Sequence, residues 1–83
     1  MSESSVQVQR EMDQTQAAYG EPASVQESMG VLLEEFHELR EAVHSNKSES
    51  IRMEAVQVAA VALRLAEAIE HASPSFMVRS GLR

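Results

Sequence analysis

Between Ile51 and Ala72 the chain reads IRMEAVQVAAVALRLAEAIEHA, and no other stretch limits the possible folds so strongly. Ala and Leu are strong helix formers, and the run is too long and too Ala-rich for a strand. At about 100° per residue, Ile51, Val58, Val61, Leu65, Ile69 and Ala72 fall on one stripe. A second apolar row, Val56, Ala59, Leu63 and Ala66, runs along the other side. A helix that is apolar on two sides packs on two sides, in a core or in a subunit interface. Glu54 lies inside the first stripe, with Gln57 and Arg64 at its edge. A carboxylate carried into such a place costs several kcal/mol, roughly, unless it is paired or holds a metal. The sequence therefore calls for something that compensates Glu54.

A second helical period precedes this one. Ser24-Val25-Gln26-Glu27 has the form of a capping box and starts a helix at Ser24. Val25, Met29, Leu32, Phe36, Leu39 and Val43 then recur at intervals of four and three, a stripe suited to packing against another helix. The helix should end near Ser45-Asn46, where Asn takes the left-handed cap, and Ser48 should cap the next. So short a connection makes the two helices antiparallel neighbours. The expected fold is all-α: a long helical hairpin over residues 24–72, assembling into a four-helix-bundle-like oligomer. Residues 1–23 are polar and Gln-rich, with only sparse apolar positions, and are expected as a loose helix from about Ser5 to Ala18 or as a partly disordered segment. Ser73-Pro74 should stop the third helix, leaving a short turn through Phe76 and a frayed tail over residues 73–83.

Whole-chain properties narrow the function. A chain of 83 residues buries only about 60% of its unfolded surface. With no cysteine to staple it, oligomerisation is the expected remedy, as a homodimer or homotetramer. The missing cysteines and the lack of an apolar span or leader fit a cytoplasmic protein that does not enter membranes. Thirteen acidic residues against seven basic ones, with no Lys/Arg cluster, argue against binding a nucleic-acid duplex.

The chemistry gathers on the helix reading LLEEFHELREAV over residues 32–43. One notch around from its main stripe, Val31, Glu35, Glu38 and Ala42 form a row beside the face that packs on the next helix. Glu35 and Glu38 therefore point across the hairpin towards Glu54. Carboxylates converging from two helices repel one another unless a cation sits among them, and oxygen-only ligands favour Mg²⁺, Mn²⁺ or Ca²⁺. Glu54 is then tolerated because it is a ligand. Glu35 and Glu38 taken alone would read as a solvated helix face.

Glu34-Glu35-Phe36-His37-Glu38, followed by Glu54-Ala55-Val56-Gln57, resembles the EExxE and ExxD motifs of MazG-like all-α nucleoside triphosphate pyrophosphohydrolases, most of all the small phage and mobile-element type. The likeness covers roughly residues 24–72. It implies that Glu35, Glu38 and Glu54 bind Mg²⁺, with Mn²⁺ as a substitute. The ion would hold an NTP or dNTP for attack by water, giving a nucleoside monophosphate and pyrophosphate in a housecleaning role. Gln57 stands where the family has aspartate; its amide oxygen can meet a hard cation but brings no charge. Glu34 is the candidate for orienting the attacking water, against an ordinary role as surface charge. Arg64 is the candidate phosphate partner, against an interface Arg. His37 and His44 are expected to face solvent, and Tyr19 and Phe76 to pack mobile ends rather than stack on a base. Two other functions compete with the hydrolase. One is a helical interaction module of the same fold whose site is weakened or lost. The other is a carboxylate-bridged di-iron bundle using Glu34-x-x-His37, which iron content would separate at once.

Overall fold

The computed structural model describes residues 2–71 and builds them from three helices: α1 (Glu3–Tyr19), α2 (Val25–Ser45) and α3 (Ser48–Glu70). No strand occurs among the described residues. The expected stop at Ser73-Pro74, the turn at Phe76 and the C-terminal tail lie outside them.

Each helix end has a local cause. Ser2 caps α1, its hydroxyl oxygen accepting the Ser5 N–H at 3.0 Å. Gly20 ends α1 at φ 73°, ψ −157°, where a side chain would be strained, and its N–H donates to the Gln16 carbonyl. The capping box at Ser24 forms: Ser24 Oγ accepts the Glu27 N–H at 3.0 Å, and the Glu27 carboxylate accepts the Ala23 N–H at 3.0 Å. Asn46 closes α2 in the left-handed conformation at φ 59°, ψ 32°, its N–H shared between the Ala42 and Val43 carbonyls. The next cap differs from expectation. Lys47, not Ser48, occupies the N-cap of α3, without a side-chain hydrogen bond, because the turn is one residue tighter than the sequence suggests.

Both α1 and α2 pack on α3. Helix α2 returns antiparallel to it through the Asn46 turn. Helix α1 runs parallel to it, since Arg52 meets Ser4 and Gln7 near one end while Arg64 meets Gln16 and Gly20 near the other. Of the two expectations for the first segment, the helix forms, over Glu3–Tyr19 rather than Ser5 to Ala18, and packs on α3. Its inward row is Ser4, Gln7, Val8, Met12 and Thr15, only partly apolar, and hydrogen bonds from Arg52 to Gln7 (3.1 Å) and from Gln7 to the Met53 sulfur (3.3 Å) do part of the holding. Helix α1 thus meets the second apolar side of α3 only at its edge, at Val56.

The core so formed is small. Among the described residues Met12, Ala42, Val56 and Ala60 are the buried apolar ones, and no side chain there is completely enclosed. The expected stripe of α2 divides: Val25, Leu32 and Leu39 turn inward and are half-buried, whereas Met29, Phe36 and Val43 are exposed. The second row of α3 divides in the same way, with Val56 buried and Ala59, Leu63 and Ala66 exposed.

Met12, only 4% exposed, is the anchor of α1. Met12→Ala should destabilise the fold by about 2–4 kcal/mol. Val6→Ala, on the exposed side of the same helix, should stay within about 0.5 kcal/mol. Urea denaturation at one fixed protein concentration checks both; equal effects would mean that α1 is not packed through Met12.

Candidate metal centre

Helical geometry brings the acidic residues together. On α2, Glu35 lies on the same sector as the buried Ser28 and Ala42, and Glu38 sits one turn on, near the edge of that sector. On α3, Glu54 points across at them. One ligand oxygen from each of Glu35, Glu38 and Glu54 lies within 4.8 Å of the others. Glu35 and Glu54 are half-buried and Glu38 is exposed, so the cluster opens to solvent on one side.

The spread of these oxygens suits a hard divalent cation. Around Mg²⁺, with ligands at about 2.1 Å, opposite oxygens stand about 4.2 Å apart and adjacent ones about 3.0 Å, so the three would draw together to share an ion. Around Ca²⁺ the corresponding span is about 5 Å. Among the described residues no basic side chain pairs with the cluster; the ion pair there is Arg52 with Glu49, at 2.8 Å. The cost of convergence falls on Glu35, whose carboxyl is held above the ordinary range. Burial is the leading cause, followed by the charges of Glu38 and Glu54, a hydrogen bond with Glu38, and the charge of Glu34.

The remaining candidates occupy distinct places. Gln57 is half-buried one turn beyond Glu54 and about 60° around the axis, on the flank of α3 that bears Met53 and Arg64. Glu34 is exposed beside the cluster, where it adds charge to Glu35. Arg64 stands about 15 Å along α3 from Glu54. Its guanidinium donates to the Gly20 carbonyl at 2.7 Å and the Gln16 side chain at 3.5 Å, closing the C-terminal end of α1. His37 and His44 are exposed, and Glu34 and His37 stand outside the cluster, so the Glu-x-x-His pair does not join Glu54. Tyr19 is 83% exposed and borders an open cleft with Glu27, Val31 and Arg64. Sequence reasoning missed that cleft, because it depends on α1 packing beside α3.

Comparison with family models, with curated proteins and with solved structures finds no match to this chain.

The raised Glu35 carboxyl gives a signed pH dependence. A folded-state pKa above the unfolded value means that the native state holds the proton more tightly, so this contribution is present in acid and is lost as pH rises from about 4.3 through the raised value. The exposed Glu49, lowered chiefly by its hydrogen bond to Arg52, pulls the opposite way as pH falls. Glu35→Gln isolates the first effect. Without metal, its Tm advantage over the parent should grow as pH rises from about 4 to 7; a constant difference across that whole range, with Glu49 unchanged in both proteins, would show that Glu35 carries no raised pKa.

Proposed function

We propose that the chain is a Mg²⁺-dependent nucleoside triphosphate pyrophosphohydrolase, converting an NTP or dNTP to the monophosphate and pyrophosphate, and that it works as a homo-oligomer in which hairpins combine into a bundle. The observation that carries the reading is the convergence of Glu35, Glu38 and Glu54, with no basic side chain paired to them among the described residues. The resemblance of the two acidic motifs adds to it.

Mg²⁺ held by these carboxylates would offset the triphosphate's charge and lower the pKa of a bound water. The chain's own part is to set the ligands and to take a proton. Glu34, exposed and adjacent to Glu35, is placed to orient or deprotonate that water. The cleft at Tyr19 begins one turn along α2 from Glu35, at Val31, about 6 Å away, and gives a nucleoside room to extend along the same side. Arg64 borders it with part of its guanidinium uncommitted, although its first role is to hold α1.

A second reading is favoured by Gln57. With an amide where a fourth carboxylate would stand, and with Arg64 engaged in the fold, the chain serves as a helical interaction module with a weakened site. The two readings separate on one experiment: incubation with canonical and modified nucleoside triphosphates plus Mg²⁺, following release of pyrophosphate rather than phosphate. Pyrophosphate from any of them supports the hydrolase, and none from all of them supports the module.

Glu38→Ala and Glu54→Ala should each abolish Mg²⁺ binding in calorimetric titration while helical content holds. Removing one of three crowded like charges should leave the metal-free protein as stable as the parent or more so. If Glu54→Ala unfolds the chain with or without metal, Glu54 is a structural partner instead. Gln57→Asp should tighten Mg²⁺ about tenfold, equivalent to ~1.4 kcal/mol, and lower the metal-free Tm by adding a fourth charge. Unchanged binding together with an unchanged Tm would place Gln57 outside the site.

A further inference from the structure

The largest unexplained feature of the surface is the outer side of α2. Met29, Leu33, Phe36 and Val43 are 45%, 61%, 58% and 54% exposed, and with Arg40 they recur at intervals of four and three. That spacing places them within about 80° of the helix circumference, an unbroken seam of coiled-coil type. The acidic residues of α2, Glu27, Glu34, Glu35, Glu38 and Glu41, all fall on the opposite half of the helix. On α3 the adjoining exposed positions are Ala55 and Ala62, small and uncharged. In a chain of net charge −6, this face carries no carboxylate.

We infer that this face is the contact between two copies of the chain, with α2 lying antiparallel to α2 of the partner about a two-fold axis at Phe36. The inference deepens the oligomeric half of the reading above and rests on that half, not on the chemistry. Three observations select a second copy as the occupant. The first is charge: two strongly acidic copies repel, and the acid-free face is where they meet without opposing carboxylates. The second is area: the four exposed side chains offer about 400 Å² of apolar surface, and Ala55, Ala62 and the Arg40 stem extend it towards the ~800 Å² per partner of a stable interface. The third is the core, which in one copy encloses no side chain completely, so the seam supplies burial that the monomer lacks.

Orientation follows from Arg40. In a parallel pair the two Arg40 side chains would face each other across the seam and repel. In the antiparallel pair they stand about 12 Å apart along the axis, each alongside the partner's apolar residues near Leu33. Met29 of one copy then meets the partner's Val43. The seam and Glu38 leave α2 on opposite sides, so the acidic cluster stays open in the dimer.

Sedimentation of the full chain at micromolar concentration should give a dimer, and the double variant Leu33→Glu with Phe36→Glu should halve the mass. Ala17→Glu, on the exposed side of α1 and outside the seam, should leave the dimer intact. Because the chain has no cysteine, orientation is read by cross-linking with a short bis-maleimide: Phe36→Cys should link to itself, and Met29→Cys should link to Val43→Cys but not to itself. If the double variant fails to fold, the cysteine pattern decides. A monomeric parent overturns the inference, whether it stays free in solution or floats with anionic phosphatidylserine vesicles, as does a dimer in which Phe36→Cys does not link. Pyrophosphate release enters none of these outcomes, so a chain without hydrolase activity can still pass, and an active monomer fails.

Discussion

Everything in this fold hangs on α3, which both other helices use as their support. A single helix can serve two neighbours only if apolar residues occupy two sectors of its circumference, and the alternation of Ala and Val from Val56 to Leu63 supplies them. Small residues let both neighbours approach closely; Ala60, buried, lies between the sectors. The same economy leaves the core shallow. Alanine fills little volume, so enclosure is incomplete, and polar ties such as Arg52 to Gln7 and Arg64 to the Gly20 carbonyl secure what packing alone would hold weakly.

That shared use of α3 also positions the acids. Glu54 lies on the sector that α2 covers, and the Asn46 turn sets the register that brings Glu35 and Glu38 opposite it. Leu32, Leu39 and Val58 are half-buried on the facing sides of the two helices near the cluster. Burial first, and the charges of Glu38 and Glu54 after it, hold the Glu35 carboxyl above its ordinary range.

The hairpin and its acidic cluster were legible in the sequence because their signals are local and periodic. The Ser24 capping box, the Asn46 stop and the row of Glu35 and Glu38 each follow from residues within a few turns of one another. The docking of α1 was not legible, since its inward row mixes Ser4, Gln7 and Thr15 with Val8 and Met12 and so lacks an apolar period. The ties of Arg52 to Gln7 and of Arg64 to the Gly20 carbonyl were similarly opaque, since each spans more than forty residues of sequence to the first helix or its cap. The division of the α2 stripe was missed for another reason. Spacings of four and three describe a band wide enough to serve two partners, and only the position of α3 shows that Leu32 and Leu39 face one while Met29 and Phe36 face away.

Gln57 then takes on a balance of charge that the motif resemblance alone does not express. If the cluster holds a divalent cation as proposed, three carboxylates and the ion sum to a net charge of −1, whereas a fourth carboxylate would make it −2 and would add repulsion towards a triphosphate. The amide at Gln57 would then lower the cost of keeping the cluster together without metal and weaken the hold on the ion. In a larger domain a deep core could offset the repulsion of four acids. Here, where Met12, Ala42, Val56 and Ala60 are the buried apolar residues, it could not do so easily. On the proposed reading the amide at Gln57 and the shallow core fit together: three carboxylates are a smaller charge for so small a core to hold than four would be.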